Sequence, residues 1–585
     1  MPEKFGILSN LQPEKRVLLL SYKKLVARCK EDKLGWCVDL KQRHQATEVI
    51  IDTCLTLLPV VTKNLNTIHG VNYSQRYWHI LLGSWLYHFC CIVYDRKCLL
   101  SYRTEDDVPE VDSRIVPRDS YESIQLSVNP DFNQQLLSDI LLGCNAIDEH
   151  SFTNTEPDND YKFDYAHLKA IVFNYISGAL TTNKSIAVSF TAMPLIFQLR
   201  VFRYFSWIRP IKPLHDNYQL FSSSINVPMR LKLRVKPVEE QFLNLVNSLL
   251  PYYIPVCFVE GYKTLNRLGQ RYISKPAAIL STTEMYYRHE SYKHWVAKCS
   301  EDGTIVLNLQ HGGTYGLSWR SGDSFIERAP SDVFYSWGWR HPTYRLDDSQ
   351  IKPMPVLPQF FGHEREVEPH NDSQRILFAS NSMRTILREF GGIPNDPYNR
   401  DRYLSNQFSF YEQLPQDVRE SLYIRVGELK KSNDMKLYKE SWRKKYPSVL
   451  FDDRNVNFVT SLRHSKLFIV DHLSTTWLES LMIGVPTIIF IDKDDYDFTA
   501  EFKEIISMLH SVSIFHYSIE SAVKEVSAIN YDVSSWWRDE RRSDMLEKVL
   551  SKIAKKSERL AYDWSEELKR VSRKAYYPSS NKWNR

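Results

Sequence analysis

Glycine is scarce, with 19 in 585 residues, and there is no glycine repeat, low-complexity tract or internal sequence repeat. This argues against collagen-like, disordered and propeller architectures. Nine cysteines stand at positions 29, 37, 54, 90, 91, 98, 144, 257 and 299, an odd number with no C-x-x-C pair. Zinc and dithiol redox spacings are therefore missing, and scattered free thiols suit a reducing cytoplasm. The start, Met1-Pro-Glu-Lys, lacks the basic-then-apolar form of a secretory leader. Long hydrophobic runs are also lacking. The most apolar window, Ile80 to Tyr94, contains His88 and is too short to span a bilayer, so it reads as a buried core helix. No basic stripe is present: 75 Lys and Arg face 70 Asp and Glu, a net charge of +5. The Lys and Arg of Arg538 to Lys574 are interleaved with acids, as on a solvated helix face. Nucleic acid is excluded as a partner on this ground; contact with an anionic membrane surface is compatible with the charge but not required by it.

What is plentiful is aromatic: 34 Tyr, 28 Phe and 14 Trp in a chain that is 43% hydrophobic and 25% charged. Such a chain builds a large core in two or three domains. Residues 1–183 read as a helical region, with helices expected at Arg16 to Cys29, Ala46 to Asn64 and Arg76 to Tyr94. His69, Arg76, Trp78 and Trp85 crowd together there and read as packing, or as a buttress of the site. Residues 184–340 alternate strand and helix, with strands at Ser185 to Phe190, Ala277 to Leu280, Thr304 to Leu309 and Val333 to Ser336. The polar stretch 341–374, with five Pro, reads as a linker. Residues 375–496 repeat the alternation, with strands at Arg375 to Ala379, Leu422 to Val426, Val456 to Phe458, Leu467 to Val470 and Val485 to Ile491; residues 497–585 read as a helical tail. Strand–helix alternation implies parallel sheets. The expected fold is α/β and GT-B-like: two doubly wound Rossmann-like domains facing a cleft, the first on the acceptor side and the second holding a nucleotide-sugar donor.

Three polar strand ends of the second domain carry the donor-site reading. Asp471-His472-Leu-Ser474-Thr475-Thr476-Trp-Leu-Glu479 follows an apolar run and precedes Gly484 and Pro486. It reads as a strand, a turn and a capped helix, with Thr476 and Glu479 at capping-box spacing. A helix amino end at the carboxyl end of a parallel strand is suited to phosphate. Ser380 and Asn381 end another strand, and Arg425 with Glu428 a third; an Arg there can grip phosphate or a sugar carboxylate in a bidentate way. In the first domain, Gln310-His311-Gly312-Gly313-Thr-Tyr315-Gly316 places three glycines and a histidine after a strand. His311, Asp323 and Glu327 are the candidate acids, bases or nucleophiles. Asp158-Asn-Asp160 has the form of a metal-binding D-x-D pair but lies in a polar run rather than after a strand, so no metal site is expected.

The ordered set Leu65-Asn-x-x-His69-Gly70, Tyr77-Trp78, Gly83-x-Trp85, Tyr94-Asp95-Arg96, Gln310-His311-Gly312-Gly313, Trp337-Gly338-Trp339 and Asp471-x-x-Ser474-Thr475-Thr476-x-Leu-Glu479 resembles bacterial transferases of O-antigen and surface-carbohydrate loci. The resemblance covers most of the chain. Such proteins are often encoded beside genes for nonulosonic acids, the sialic-acid-like sugars, and the fold resembles transferases that use CMP-activated Kdo or sialic acid. The resemblance implies a metal-independent glycosyltransferase with no cofactor beyond a CMP-sugar donor. Its acceptor would be a glycan or lipid-linked glycan, and its place cytoplasmic or peripheral at the inner membrane. A CDP- or UDP-dependent transferase of glycerol phosphate or hexose, and a non-catalytic assembly protein on the same fold, are the rival readings.

Overall fold

The computed structural model describes residues 21–31, 40–103, 114–142, 165–214, 221, 223–234, 240–272, 275–285, 289–340, 350–358, 374–381, 384, 386–390, 397–427, 433–452, 456–492 and 495–576. Two six-stranded sheets dominate, and every pairing between named strands is parallel. The first contains β1 (Ile186–Ser189), β2 (Ile208–Ile211), β3 (Ala278–Ser281), β4 (Ile305–Leu309), β5 (Val333–Ser336) and β6 (Ile351–Pro353), in the order 2-1-3-4-5-6. The second contains β7 (Ile376–Asn381), β8 (Leu422–Gly427), β9 (Leu450–Phe451), β10 (Leu467–Val470), β11 (Thr487–Phe490) and β12 (Phe515–His516), in the order 12-11-10-7-8-9. β1, β3, β7, β10 and β11 are buried on both faces, which is why they read as unbroken apolar runs. Strand order reverses between β1 and β3 in one sheet and between β7 and β10 in the other. In open α/β sheets these switch points leave crevices at the carboxyl ends of the strands.

The two-sheet α/β plan is thus as expected, with local departures. The stretch read as a linker contributes β6, whose Pro353 is tolerated because the strand is an edge. β2, also an edge strand and also carrying a proline, was not foreseen. No strand forms at Val456 to Phe458; Asn457 caps a helix at Phe458–Arg463 through a bond to Thr460 N–H (2.8 Å). Asp158, Asp160 and Glu428 lie outside the described residues.

The helices Leu40–His69 and Gln75–Leu99 form a core continuous with one face of the first sheet. Residues 44–69 are long and apolar enough to cross a membrane by composition. Ile50, Cys54, Leu58, Val61 and Leu65 are nonetheless fully buried within the protein. The Gln75–Leu99 helix is buried nearly all round, so its charges are paired. Arg96 bonds Asp95 (2.8 Å) and Asn133 (2.7 Å), and Arg76 bonds Asp332 (2.6 Å) and the Pro330 carbonyl (2.9 Å). His69 stacks on Tyr262, and Trp78 donates to Asn66. The crowded aromatic region is therefore packing, and through Arg76 and His79 it also supports the segment that carries Glu327. Cysteines 54, 90, 91, 98, 257 and 299 are free thiols, whereas Cys29 is disulfide-bonded, a departure from free thiols throughout.

The tail divides. Helices Ala500–Ser511 and Glu540–Ile553 pack on the second sheet, while Leu560–Tyr576 returns to the first, where Tyr335 bonds Glu567 (2.8 Å) and Trp564 bonds the Pro355 carbonyl (3.0 Å). The crossing point is Gly338, with φ +153°; a Cβ there would lie 2.5 Å from Lys552 O. Gly338→Ala is expected to destabilise the fold by at least about 1–3 kcal/mol through overpacking and backbone strain. A thermal or urea melt of the variant that matches the parent would contradict this joint.

Candidate functional site

The glycine turn after β4 is held from behind by one side chain. Gln310 Oε1 accepts from Trp337 N–H (2.9 Å) and Trp339 Nε1–H (2.8 Å), and its Nε2 donates to Gly312 O (2.8 Å). This clamp ties the turn to the end of β5 and presents its open side to the second domain. There Gly313 N–H donates to Thr475 Oγ1 (3.1 Å), and a Cβ on Gly313 would stand 2.8 Å from Ser474 O and 2.9 Å from Thr475 Cα. The two glycine- and hydroxyl-rich turns picked out in the sequence therefore touch each other across the interface of the two sheets.

Thr475–Ile483 is the helix expected there, ended by Gly484 in the left-handed conformation (φ +84°). Its N-cap is Ser474, not Thr476, so the expected capping box does not form. Ser474 makes no side-chain bond to the helix's N–H groups; its Oγ lies 3.2 Å from Thr476 Oγ1, and its own N–H donates to His472 Nδ1 (3.3 Å). The amino end thus retains uncapped donors, the property that attracts anions. Burial pushes the Glu479 carboxyl up to about 7, against the opposing charge of Arg425.

On the first-domain side, the Tyr315 hydroxyl donates to Glu327 Oε2 and lies 3.0 Å from His311 Nδ1. Glu327 Oε1 is 3.6 Å from the same nitrogen. Glu327 is fully buried in a π-helical turn, Ser324–Arg328, a form that recurs at functional sites. Burial holds its carboxyl well above the usual range; Tyr315 and Arg328 oppose this, Asp323 and Glu284 add to it. Burial lowers His311 to about 4, so the imidazole is neutral at neutral pH and can accept a proton. Asp323 points elsewhere: it is bonded by Ser321 and paired with Arg328 (3.1 Å).

At the β7/β10 switch, Ser380 and Asn381 are buried. Ser380 Oγ accepts from Gln407 (2.8 Å), and Asn381 N–H donates to the Tyr403 hydroxyl (3.0 Å). Tyr403 and Gln407 both donate to Asp471 (2.5 Å each), and Tyr438 donates to Gln407 (2.7 Å). Burial raises Asp471 to about 7 despite these donors. This network supports the turn that follows β10, and sequence reasoning missed it. Its signal was a glutamine, Gln407, in line with Tyr403 and Tyr411 on the buried face of the helix Arg400–Gln413. Burial also lowers His472 to about 4. Arg425 is engaged by Asp452, by Ser461 (3.0 Å) and by the Val456 carbonyl (3.2 Å), so three of its bonds hold its own domain together.

The structure accordingly brings His311, Gly312, Gly313, Glu327, Ser474, Thr475 and Thr476 into one place, with Ser380, Asn381 and His472 beneath it. Arg425 and Glu479 lie along the same helix's flank, and Asp323 faces Arg328. Among the described residues no group of His, Cys, Asp and Glu is arranged to hold a metal ion.

Residues 36–568 match the family described as LIC12162 family transferase. The chain belongs to that family. A comparison with curated protein sequences finds no match. Among solved structures, the transferase is similar to an O-GlcNAc transferase of Thermobaculum terrenum (11% identity, TM-score 0.36, 97% of this chain and 99% of that one). It is also similar to the wall teichoic acid polymerase TagF soaked with CDPG (9%, TM-score 0.33, 70% and 97%). A third is the glycosyltransferase SnogD of Streptomyces nogalater (11%, TM-score 0.31, 66% and 98%). Likenesses this slight carry no argument about the transferase's activity.

The close approach at Gly313 makes a direct test. Gly313→Ala should force the two turns of the transferase apart, with a cost of about 1–3 kcal/mol. It should abolish anion binding at the helix end while far-UV circular dichroism is unchanged. Unaltered binding of nucleotide by this variant would show that the contact does not shape the site.

Proposed function

We propose that this transferase is a glycosyltransferase that moves a nonulosonic or Kdo-like sugar from a CMP-activated donor to a hydroxyl of a surface-glycan acceptor, on the cytoplasmic side of the inner membrane. The observation that carries the reading is the meeting of the His311–Gly313 turn with the uncapped amino end at Ser474 to Thr476. The donor's phosphate takes the Thr475 and Thr476 end of the helix, whose N–H groups and dipole stabilise the charge that grows as the bond between the anomeric carbon and the phosphate oxygen breaks. The acceptor oxygen bonds that carbon, and its proton passes to neutral His311. Glu327 and Tyr315, joined by a hydrogen bond beside the ring, orient the imidazole. CMP leaves with the negative charge. Support for CMP and a nine-carbon donor comes from the sequence resemblance; support for transfer chemistry comes from the family.

Two measurements test this. In a thermal-shift series with CMP, CDP, UDP and GDP, CMP should raise the melting temperature most, in line with about 2.7 kcal/mol at a hundredfold excess over Kd. A shift with UDP or CDP and none with CMP would replace the donor with that of a hexose or glycerol phosphate transferase. His311→Ala should lower kcat/KM by about 10²–10⁴ with little change in melting temperature. Because the ring is neutral above its lowered pKa of about 4, the parent's acid limb should fall near pH 4 and not near 6.5. An acid limb at pH 6.5, or full activity in the variant, would remove His311 from the proton transfer.

A further inference from the structure

The segment 165–214 contains Lys169, Lys184, Arg200, Arg203, Arg209 and Lys212 and not one Asp or Glu, in a chain with 70 acidic residues. It forms the outer edge of the first sheet: helix Tyr165–Ala179, β1, helix Leu195–Phe202 and β2. The helix Tyr165–Ala179 turns its polar side chains inward and covers the free edge of β2. Asn174 exchanges bonds with the backbone of Lys212 (2.8 and 2.9 Å), and Ser177 donates to Pro210 O (2.7 Å). Ala170 is buried and Ile171 packs on the core, but a second group of apolar side chains is left outside, unlike an ordinary surface helix. Val172, Tyr175 and Ile176 are 50%, 59% and 57% exposed, and they share one helix face with Leu168. The helix Leu195–Phe202 buries Phe197 and Val201 but also leaves apolar side chains outside, with Ile196 and Leu199 at 66% and 59% and Phe202 at 46% exposure. Arg209 joins the two surfaces, donating to Leu180 O (2.9 Å) and Ser206 O (2.8 Å) beside Trp207. Apolar side chains gathered on two helix faces this way mark a partner.

Beside this face lies a cleft of ≈ 510 Å³ lined by Lys184, Tyr204, Trp207, Lys569 and Arg573. It stands at the amino ends of β1 and β2, the opposite end of the sheet from His311, so it is separate from the site above. Lys569 is paired with Glu566 (2.6 Å), whereas Arg200, Arg203 and Arg573 are exposed and in no ion pair among the described residues. Exposed apolar side chains, Tyr and Trp beside them, and basic groups without acids in the same segment are the pattern of a protein surface that rests in the headgroup layer of an anionic bilayer.

We propose that this face docks the protein peripherally on a membrane containing anionic phospholipid. Ile196, Leu199, Val172 and Ile176 enter the headgroup layer, and the Lys184–Arg573 cleft takes a lipid phosphate. The proposal is independent of the donor, since vesicle binding and sugar transfer are read separately and either can fail alone.

The test is co-sedimentation of the full chain with vesicles of phosphatidylcholine alone and of phosphatidylcholine mixed with phosphatidylglycerol, at low and high salt. The protein should pellet with the mixed vesicles only, and high salt should weaken the binding at least about tenfold. I196S with L199S should abolish pelleting, and R203E with R573E should reduce it at least about tenfold, each with the parent's melting temperature. Failure to pellet with anionic vesicles, equal pelleting with both kinds, or undiminished pelleting of both variants overturns the proposal. So does light scattering that shows a dimer which I196S with L199S dissociates, because the face would then be covered by a second copy.

Discussion

The transfer site proposed for this protein depends on one approach of backbone to backbone, that of Gly313 to Ser474 and Thr475. Two parallel sheets can be packed against each other in many ways. Here the turn after β4 and the helix that follows β10 are pressed together so closely that no side chain fits between them. The contact sets a histidine beside uncapped helix donors. His311 comes from the first sheet and the anion-binding end from the second.

The surrounding structure can be read as what holds that contact in register. Gln310 fixes the glycine turn to β5, and Asp471 with Tyr403 and Gln407 fixes the end of β10. The segment bearing Glu327 is gripped from the helical region, where His79 bonds Phe325 O (2.8 Å) and Arg76 bonds Asp332. The tail crosses at Gly338 and bonds both domains, Lys555 N–H donating to Trp337 O (2.7 Å). Buried polar groups of this kind are stabilising only when satisfied, and these bonds fix the turn on each side of the interface within its own domain.

The long, doubly buried strands were legible in the sequence because their apolar runs are continuous: Leu467 to Val470 and Ile376 to Ala379 are examples. β2 and β6 were not, because each is a short edge strand containing proline, and β9 and β12 have two residues each. The turns with His311 and Ser474 were visible because glycine and hydroxyl residues cluster after strands. Their contact was not, since no local pattern encodes which turns meet across domains. Arg425 stood at a strand end as an anion ligand would, but the chain folds Asp452 and Ser461 onto it. Tyr315 and Tyr403, whose hydroxyls organise the two halves, carried no sequence sign of their partners. The outward apolar face at residues 165–214 was also hidden, because an amphipathic helix looks the same in sequence whether its apolar side turns in or out.

The decisive measurement is a crystal structure of the protein with CMP bound. The phosphate is expected within hydrogen-bond distance, roughly 3 Å, of the Thr475 or Thr476 N–H group, with the His311 ring facing it across the Gly313 contact. A CMP phosphate bound elsewhere, with this helix end left to solvent, would contradict it.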